Sequence, residues 1–149
     1  MKKSKIYPPT FFNTALVIMI ILHFLIPIRE IIAGYWKLIG IIPLLIGVSF
    51  NLIADKDLKS NNTTVKPDEE SNVLITHGVF KISRNPMYIG MVLIQIGIAL
   101  FLGSVSPYLI IVIFIFVMDK KFIRNEEVML REKFGMVWNR YKESTRRWI

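Results

Sequence analysis

Two stretches of the chain concentrate side chains able to do chemistry. The first runs Leu74-Ile-Thr-His-Gly-Val-Phe-Lys-Ile-Ser-Arg-Asn-Pro-Met-Tyr-Ile-Gly90. The second, Ile123-Arg-Asn-Glu-Glu-Val-Met-Leu-Arg-Glu-Lys-Phe-Gly135, continues through Trp138 and Tyr141. In the first, Pro86 and the restricted residue before it keep the chain from being helical ahead of Met87, which frees backbone amides beside Arg84 and Tyr88. The plain reading is a helix entry, with Asn85 as N-cap, Pro86 at the first helical position, Tyr88 as an interfacial anchor and Arg84 as a headgroup contact. In the second, alternating charge ordinarily marks a solvated helix face, and the aromatic spacing suits surface anchoring. What lifts Glu126 and Glu127 above that reading is where the surrounding elements must put them.

Other chemistry-bearing residues are sparse. His23 is the one clear ionisable group inside an apolar run, and it has no carboxylate at helical spacing in its own segment. We expect it to make an interhelical hydrogen bond, to Asn51 or Gln95. The absence of cysteine excludes disulfides, a thiolate nucleophile and cysteine metal sites, and no metal site is expected.

The elements follow from composition. At 53% hydrophobic and a mean hydropathy of +0.48, the chain is too apolar for an ordinary soluble domain of its length. Its charge of +8 then points to anionic lipid headgroups and not to nucleic acid. Apolar runs cover Phe11 to Ile28, Tyr35 to Ala54, Met87 to Leu102 and Pro107 to Met118. A crossing helix needs ~20 largely apolar residues, so the last run needs its flanks to cross. The expected architecture is all-α: a polytopic membrane protein with four transmembrane helices, about residues 11–28, 35–54, 87–103 and 106–124, and a cytosolic C-terminal helical segment. The whole, 1–149, forms a single domain. The basic start before the first run is read as leading into a retained helix, because no small-residue cleavage site follows.

Four crossings put both ends and the 55–86 connection on one face. That face carries seventeen of the nineteen basic residues, leaving Arg29 and Lys37 opposite. The bias assigns it to the cytoplasm, so the protein is expected in the cytoplasmic membrane, multi-pass, with both termini cytoplasmic. With nothing to break the helix between Met118 and Gly135, Glu126 and Glu127 should lie about 12 to 14 Å past Met118 at ~1.5 Å per residue. They then face the same headgroup zone as Arg84 and Tyr88. Gly90 and Gly97, seven residues apart on one face of the third run, read as a close-packing surface.

The two stretches, together with Thr63-Thr-Val-Lys-Pro67, resemble the paired signatures of the isoprenylcysteine carboxyl methyltransferase and phospholipid methyltransferase-like integral membrane family. The matching text is Leu74 to Phe80, Ser83-Arg-Asn-Pro-Met-Tyr-Ile-Gly90, and Glu126-Glu-x-x-Leu130-x-x-x-Phe-Gly135 with Tyr141 beyond. It covers about the C-terminal two thirds of the chain, and two motifs in order with two spans between them are more specific than either alone.

The resemblance implies S-adenosyl-L-methionine-dependent methyl transfer, with the cofactor held at the cytosolic surface by segments 63–90 and 119–149. By motif, Asn72, Val73, Leu74, Ile75 and Phe80 would line the cofactor site, Asn85, Pro86, Met87 and Tyr88 would hold its nucleoside or methionine part, and Glu126 would meet its ammonium. Arg84, Tyr88 and Glu127 are the implied catalytic residues. Those types suit the ligand: a carboxylate for an ammonium, donors for a carboxylate, aromatic faces for a sulfonium. In-line transfer from an activated carbon asks mainly for alignment and exclusion of water, and a base is needed only for a neutral amine acceptor.

The chain departs from the family pattern at Asn72, Phe80 and Asn85, where histidine or tyrosine is common. It departs also at Phe122, where prenylcysteine enzymes place an arginine for the substrate carboxylate. Lys121, Phe122 and Arg124 are therefore the implied substrate-binding positions, and the acceptor is a lipid-like or small hydrophobic molecule reached laterally from membrane lipids. The competing reading is a non-catalytic membrane scaffold or lipid-binding module that retains the fold. A transporter would show inverted repeats and ionisable groups along its spans, and the sequence has neither. Nothing in the sequence sets an oligomeric state.

Overall fold

A computed structural model describes residues 7–61, 63 and 73–149. Over these residues the protein is all-helical, and the sole β-type pairing is an isolated bridge between Glu30 and Ser104. Helix α1 spans Pro8–Leu25. A 3-10 helix over Gly34–Gly40 leads straight into α2, Ile41–Ser60. A short 3-10 turn, Gly78–Lys81, precedes α3, Pro86–Leu102, and α4 covers Ser106–Met118. A π-helical segment, Asp119–Ile123, joins α4 to α5, Arg124–Ser144, without a break.

The boundaries have local causes. Pro8 and Pro9 occupy the first turn of α1, where their missing N–H groups cost nothing. Pro27 drives Ile26 out of helical geometry, so α1 starts and stops three residues before the apolar run does. Pro86 and Pro107 open α3 and α4 in the same way. The sequence suggested a helix ending near Gly135, and the backbone does leave helical geometry there, at φ 49° and ψ −116°; a second helical stretch follows across the kink to Ser144.

Two helices are long and apolar enough to cross a bilayer by length and composition, Pro8–Leu25 and the continuous Gly34–Ser60; Pro86–Leu102 is a shorter apolar helix. The expected third and fourth spans thus fall short of that length. Gly103 takes up a left-handed conformation and stops α3, while α4 reaches the charged Asp119-Lys-Lys run after 13 residues. The outer faces of α1, α2 and α4 are nonetheless apolar, with Ile21, Phe24, Ile42, Leu45, Leu52, Val112 and Phe116 all exposed. An exterior of that kind is unlike a water-facing surface.

Helix α2 lies most extensively against α3, α1 against α4, and α3 against α4. The α2–α3 seam is a glycine contact at two levels. A Cβ on Gly97 would lie 2.6 Å from the Gly40 carbonyl oxygen, and one on Gly90 2.8 Å from that of Gly47. Backbones approach this closely only where side chains are absent. On the other side of α3, Tyr88 and Met91 join Phe114, Met118, Phe122 and Ile123 in a buried cluster closed by Ala15. A second cluster, Met19, Ala99 and Ile111, continues it toward the other end of the helices.

His23 is corrected by the structure: its Nδ1 lies 2.8 Å from Ser104 Oγ, and neither Asn51 nor Gln95 is its partner. The sequence places it near the end of α1, beside the turn at Gly103, where α1 and the α3–α4 connection meet.

Candidate active site

The two chemistry-bearing stretches converge on one cavity. The side-chain hydroxyl of Tyr88, in the first turn of α3, donates to Oε1 of Glu126, in the first turn of α5, over 2.6 Å. The residues are separated by the whole α3–α4 hairpin, so the contact exists only because α3 and α4 return antiparallel to the same end. The π-helical segment contributes as well. Its wider turn adds a residue to the register, altering which side of α5 faces α3; such segments recur at functional sites.

The cavity encloses about 290 Å³, at the lower end of the ~300–1,000 Å³ typical of small-molecule sites. Its polar lining is Arg84, Asn85, Tyr88, Glu126 and Glu127, and its apolar lining includes Pro8, Pro9, Leu58, Met91, Met129 and Leu130.

The two glutamates, adjacent in sequence, are in opposite electrostatic situations. Glu127 is compensated: Arg147 donates to both of its oxygens, Nε to Oε1 at 3.0 Å and Nη2 to Oε2 at 2.6 Å, and Arg84 Nη1 lies 3.1 Å from Oε1. Glu126 has Tyr88 and, among the described residues, no cation. Burial, opposed by the Tyr88 hydrogen bond and helped by the Glu127 charge, pushes its carboxyl up to about 7. A carboxylate held poised in this way is stabilised by a cation brought into the cavity.

Arg84 completes the set. It is nearly buried, its guanidinium lies 5.5 Å from the centroid of the Trp138 ring, and its Nε and Nη1 make no aligned hydrogen bond despite the nearby Glu127. Buried donors without aligned acceptors are uncommon, and because Arg84 lines the cavity its guanidinium is within reach of an anion brought there. The cavity therefore suits a small molecule carrying both a positive and a negative group, with an apolar portion between or beyond them.

The loop carrying Arg84 is held from behind. Ser83 Oγ and Asn85 Nδ2 both donate to the Arg147 carbonyl, at 3.0 and 2.9 Å, and the Arg84 N–H donates to the Arg146 carbonyl at 3.0 Å. Tyr141 Oη donates to the Phe80 carbonyl at 2.6 Å, and burial pushes its hydroxyl up to about 12. Asn85 precedes α3 as expected, but its side chain makes no capping bond, because that amide is committed to the Arg147 carbonyl.

Of the residues singled out from the sequence, Phe80, Arg84, Asn85, Pro86, Met87, Tyr88, Glu126 and Glu127 line the cavity. Val73 is exposed, Leu74 half-buried and Ile75 buried, and none of the three is in the cavity wall. Asn72 lies outside the described residues. The implied substrate-binding trio is not in the wall either. Phe122 is buried against Phe11 in the hydrophobic cluster, Lys121 Nζ sits 4.7 Å from the centroid of the Phe11 ring, and Arg124 pairs with Asp119 at 3.2 Å. The reason is steric and electrostatic: a phenylalanine at 122 is drawn into the core, and its basic neighbours take partners outside the cavity.

Sequence reading missed Arg147, Ser83 and Trp138 as parts of the site, and missed the start of α1 as its wall. Arg147 is one of several basic residues near the end of the chain, and no spacing distinguishes it from Arg146. Trp138 carried an aromatic signal, read only as surface anchoring.

A chain all-helical over the described residues, with a mostly apolar cavity carrying a few charged side chains, is the class that fold and site define. A model of the phospholipid methyltransferase family matches residues 36–137, which takes in the first chemistry-bearing stretch and the second through Gly135. The chain belongs to the phospholipid methyltransferase family, a membrane-associated family of methyltransferases. A protein of Haemophilus influenzae described as uncharacterized is 40% identical over 63 residues, 42% of this chain and all of that relative.

Proposed function

We propose that the cavity binds S-adenosyl-L-methionine and that the protein transfers a methyl group to a lipid-like or small hydrophobic acceptor at the inner surface of the membrane. The observation that carries this is the Tyr88–Glu126 hydrogen bond, which joins the two motif segments over a single cavity. When bound, the cofactor supplies an electrophilic methyl carbon on a sulfonium.

The chain's own residues do the rest. Glu126 would receive the ammonium, and the Arg84 guanidinium the carboxylate. The rings of Tyr88 and Phe80, both in the cavity wall, would offer aromatic faces to a sulfonium. Glu127, clamped by arginines, holds Arg84 in place. Met91, Met129 and Leu130 exclude water and give an apolar acceptor a surface to lie on, which favours alignment over bulk hydrolysis. With Phe122 in the core, the cavity wall has, among the described residues, no cation besides Arg84 for an acceptor carboxylate. That favours a neutral or amine-bearing acceptor over a prenylcysteine. The continuous α4–π–α5 helix, leaving the apolar part of the fold at Met118, would deliver Glu126 to the cytoplasmic headgroup layer, within reach of membrane lipids.

Isothermal titration of S-adenosylhomocysteine into the detergent-solubilised protein tests the reading. Binding that disappears in Glu126→Ala supports it. Folded protein indifferent to the ligand overturns it in favour of a lipid-binding scaffold. Labelled methyl donor incubated with membrane extract, followed by separation into lipid, protein and small-molecule fractions, identifies the acceptor.

A further inference from the structure

The segment after α5 lies outside the cavity wall but braces the residues that form it, and the family reading leaves it without a role. Arg147 sends three of its guanidinium nitrogens to carboxylates: two to Glu127, as described, and Nη1 to Asp119 Oδ1 at 3.3 Å. Its own carbonyl meanwhile holds Ser83 and Asn85, and Trp148 packs against the buried cluster around Tyr88. The result is a chain of alternating charge, Asp119, Arg147, Glu127, Arg84, running from the π-helical segment to the cavity wall. Charges along it are matched in pairs. Glu126 stands outside it, facing Tyr88 from α3 and Glu127 from its own helix, with Arg84 and Tyr7 the other ionisable groups of the lining.

We propose that Arg147 is a positioning residue for the site: by clamping Glu127 against Arg84, it leaves Glu126 as the one cavity carboxylate whose charge is available to a bound cation. The arrangement of charges is read directly from the structure; that the cation is the cofactor's rests on the function proposed above. Without Arg147, Glu127 would bear charge only partly matched by Arg84. That charge would oppose ionisation of Glu126 next to it. Arg84 would also be drawn toward Glu127, away from the anionic end of the ligand.

The distinguishing measurement is the pH at which Glu126 ionises, because a tail that merely braced the loop would not move it. That midpoint is read without ligand, from the pH dependence of thermal unfolding of each variant compared with its Glu126→Gln counterpart. We expect Arg147→Gln to raise the midpoint by about one pH unit. Glu127→Gln should lower it, and in that background Arg147→Gln should have no further effect, since the charge through which Arg147 acts is gone. Arg147→Lys keeps the charge but loses the fork, and should shift the midpoint less than Arg147→Gln.

Should Arg147→Gln fail to fold, Arg147→Lys with and without Glu127→Gln answers the same question through a smaller upward shift that vanishes in the double variant. An unchanged midpoint in the folded Arg147 variants overturns the proposal, and so does a shift that persists without Glu127. S-adenosylhomocysteine titrations on the same proteins separate the two claims. Absence of binding by the wild type refutes the cofactor reading alone, and binding by the wild type with an unmoved midpoint in Arg147→Gln refutes this one alone.

Discussion

If Glu126 is the group that meets the cofactor's ammonium, affinity must follow its ionisation. The carboxyl ordinarily titrates near 4.5 and is pushed up to about 7, chiefly by burial. In the free protein it is therefore mostly protonated below neutral pH, and a neutral acid offers an ammonium little. Binding should strengthen as pH rises through about 7 and level off above it. With a midpoint near 7, ~3% of the sites are ionised at pH 5.5 and ~90% at pH 8. The dissociation constant for S-adenosylhomocysteine should then weaken ~30-fold between pH 8 and pH 5.5, on the order of 2 kcal/mol. The ligand's own amine and carboxyl hold their charge across this window and do not confuse the slope. Titration calorimetry at half-unit steps, in one detergent and at constant ionic strength, reads it directly. Glu126→Gln should bind weakly and without pH dependence. A flat wild-type profile, or a slope surviving in Glu126→Gln, would refute the argument that this buried carboxylate is the cation receptor.

Three further outcomes follow from single contacts. Tyr88→Phe removes the hydrogen bond that favours ionised Glu126, so the binding midpoint should move upward and the affinity at pH 7 fall severalfold, measured by the same titration. Glu126→Gln should stabilise the ligand-free protein at pH 8. A carboxyl whose folded-state proton affinity exceeds its unfolded one contributes its stability below pH 4.5 and loses it as pH rises through about 7. The cost at pH 8 is on the order of 3 kcal/mol, visible as a higher Tm than wild type at pH 8 and a smaller difference at pH 5. Gly97→Ala places a methyl 2.6 Å from the Gly40 carbonyl and should destabilise the α2–α3 pair by about 1–3 kcal/mol, with a lowered unfolding midpoint in detergent.

The linear sequence determined what is local. Apolar run lengths and prolines at 8, 9, 86 and 107 set where helices begin, because proline has no N–H to lose in a first turn. The glycine pair at 90 and 97 announced a close-packed face, since a heptad brings residues back to one side of a helix. Motif chemistry at Arg84 to Tyr88 and Glu126-Glu127 named most of the polar cavity wall.

Only the tertiary structure decided which partners those groups take. His23 met Ser104 because the α3–α4 turn, and not the middle of a neighbouring helix, lies beside the end of α1. Phe122 left the acceptor side for the core because an aromatic ring gains more from burial than from facing the cavity. The difference between two adjacent glutamates was invisible beforehand. It arises because an arginine twenty residues on folds back onto Glu127 and not onto Glu126, and ion pairing depends on distances of a few ångströms that no spacing rule encodes.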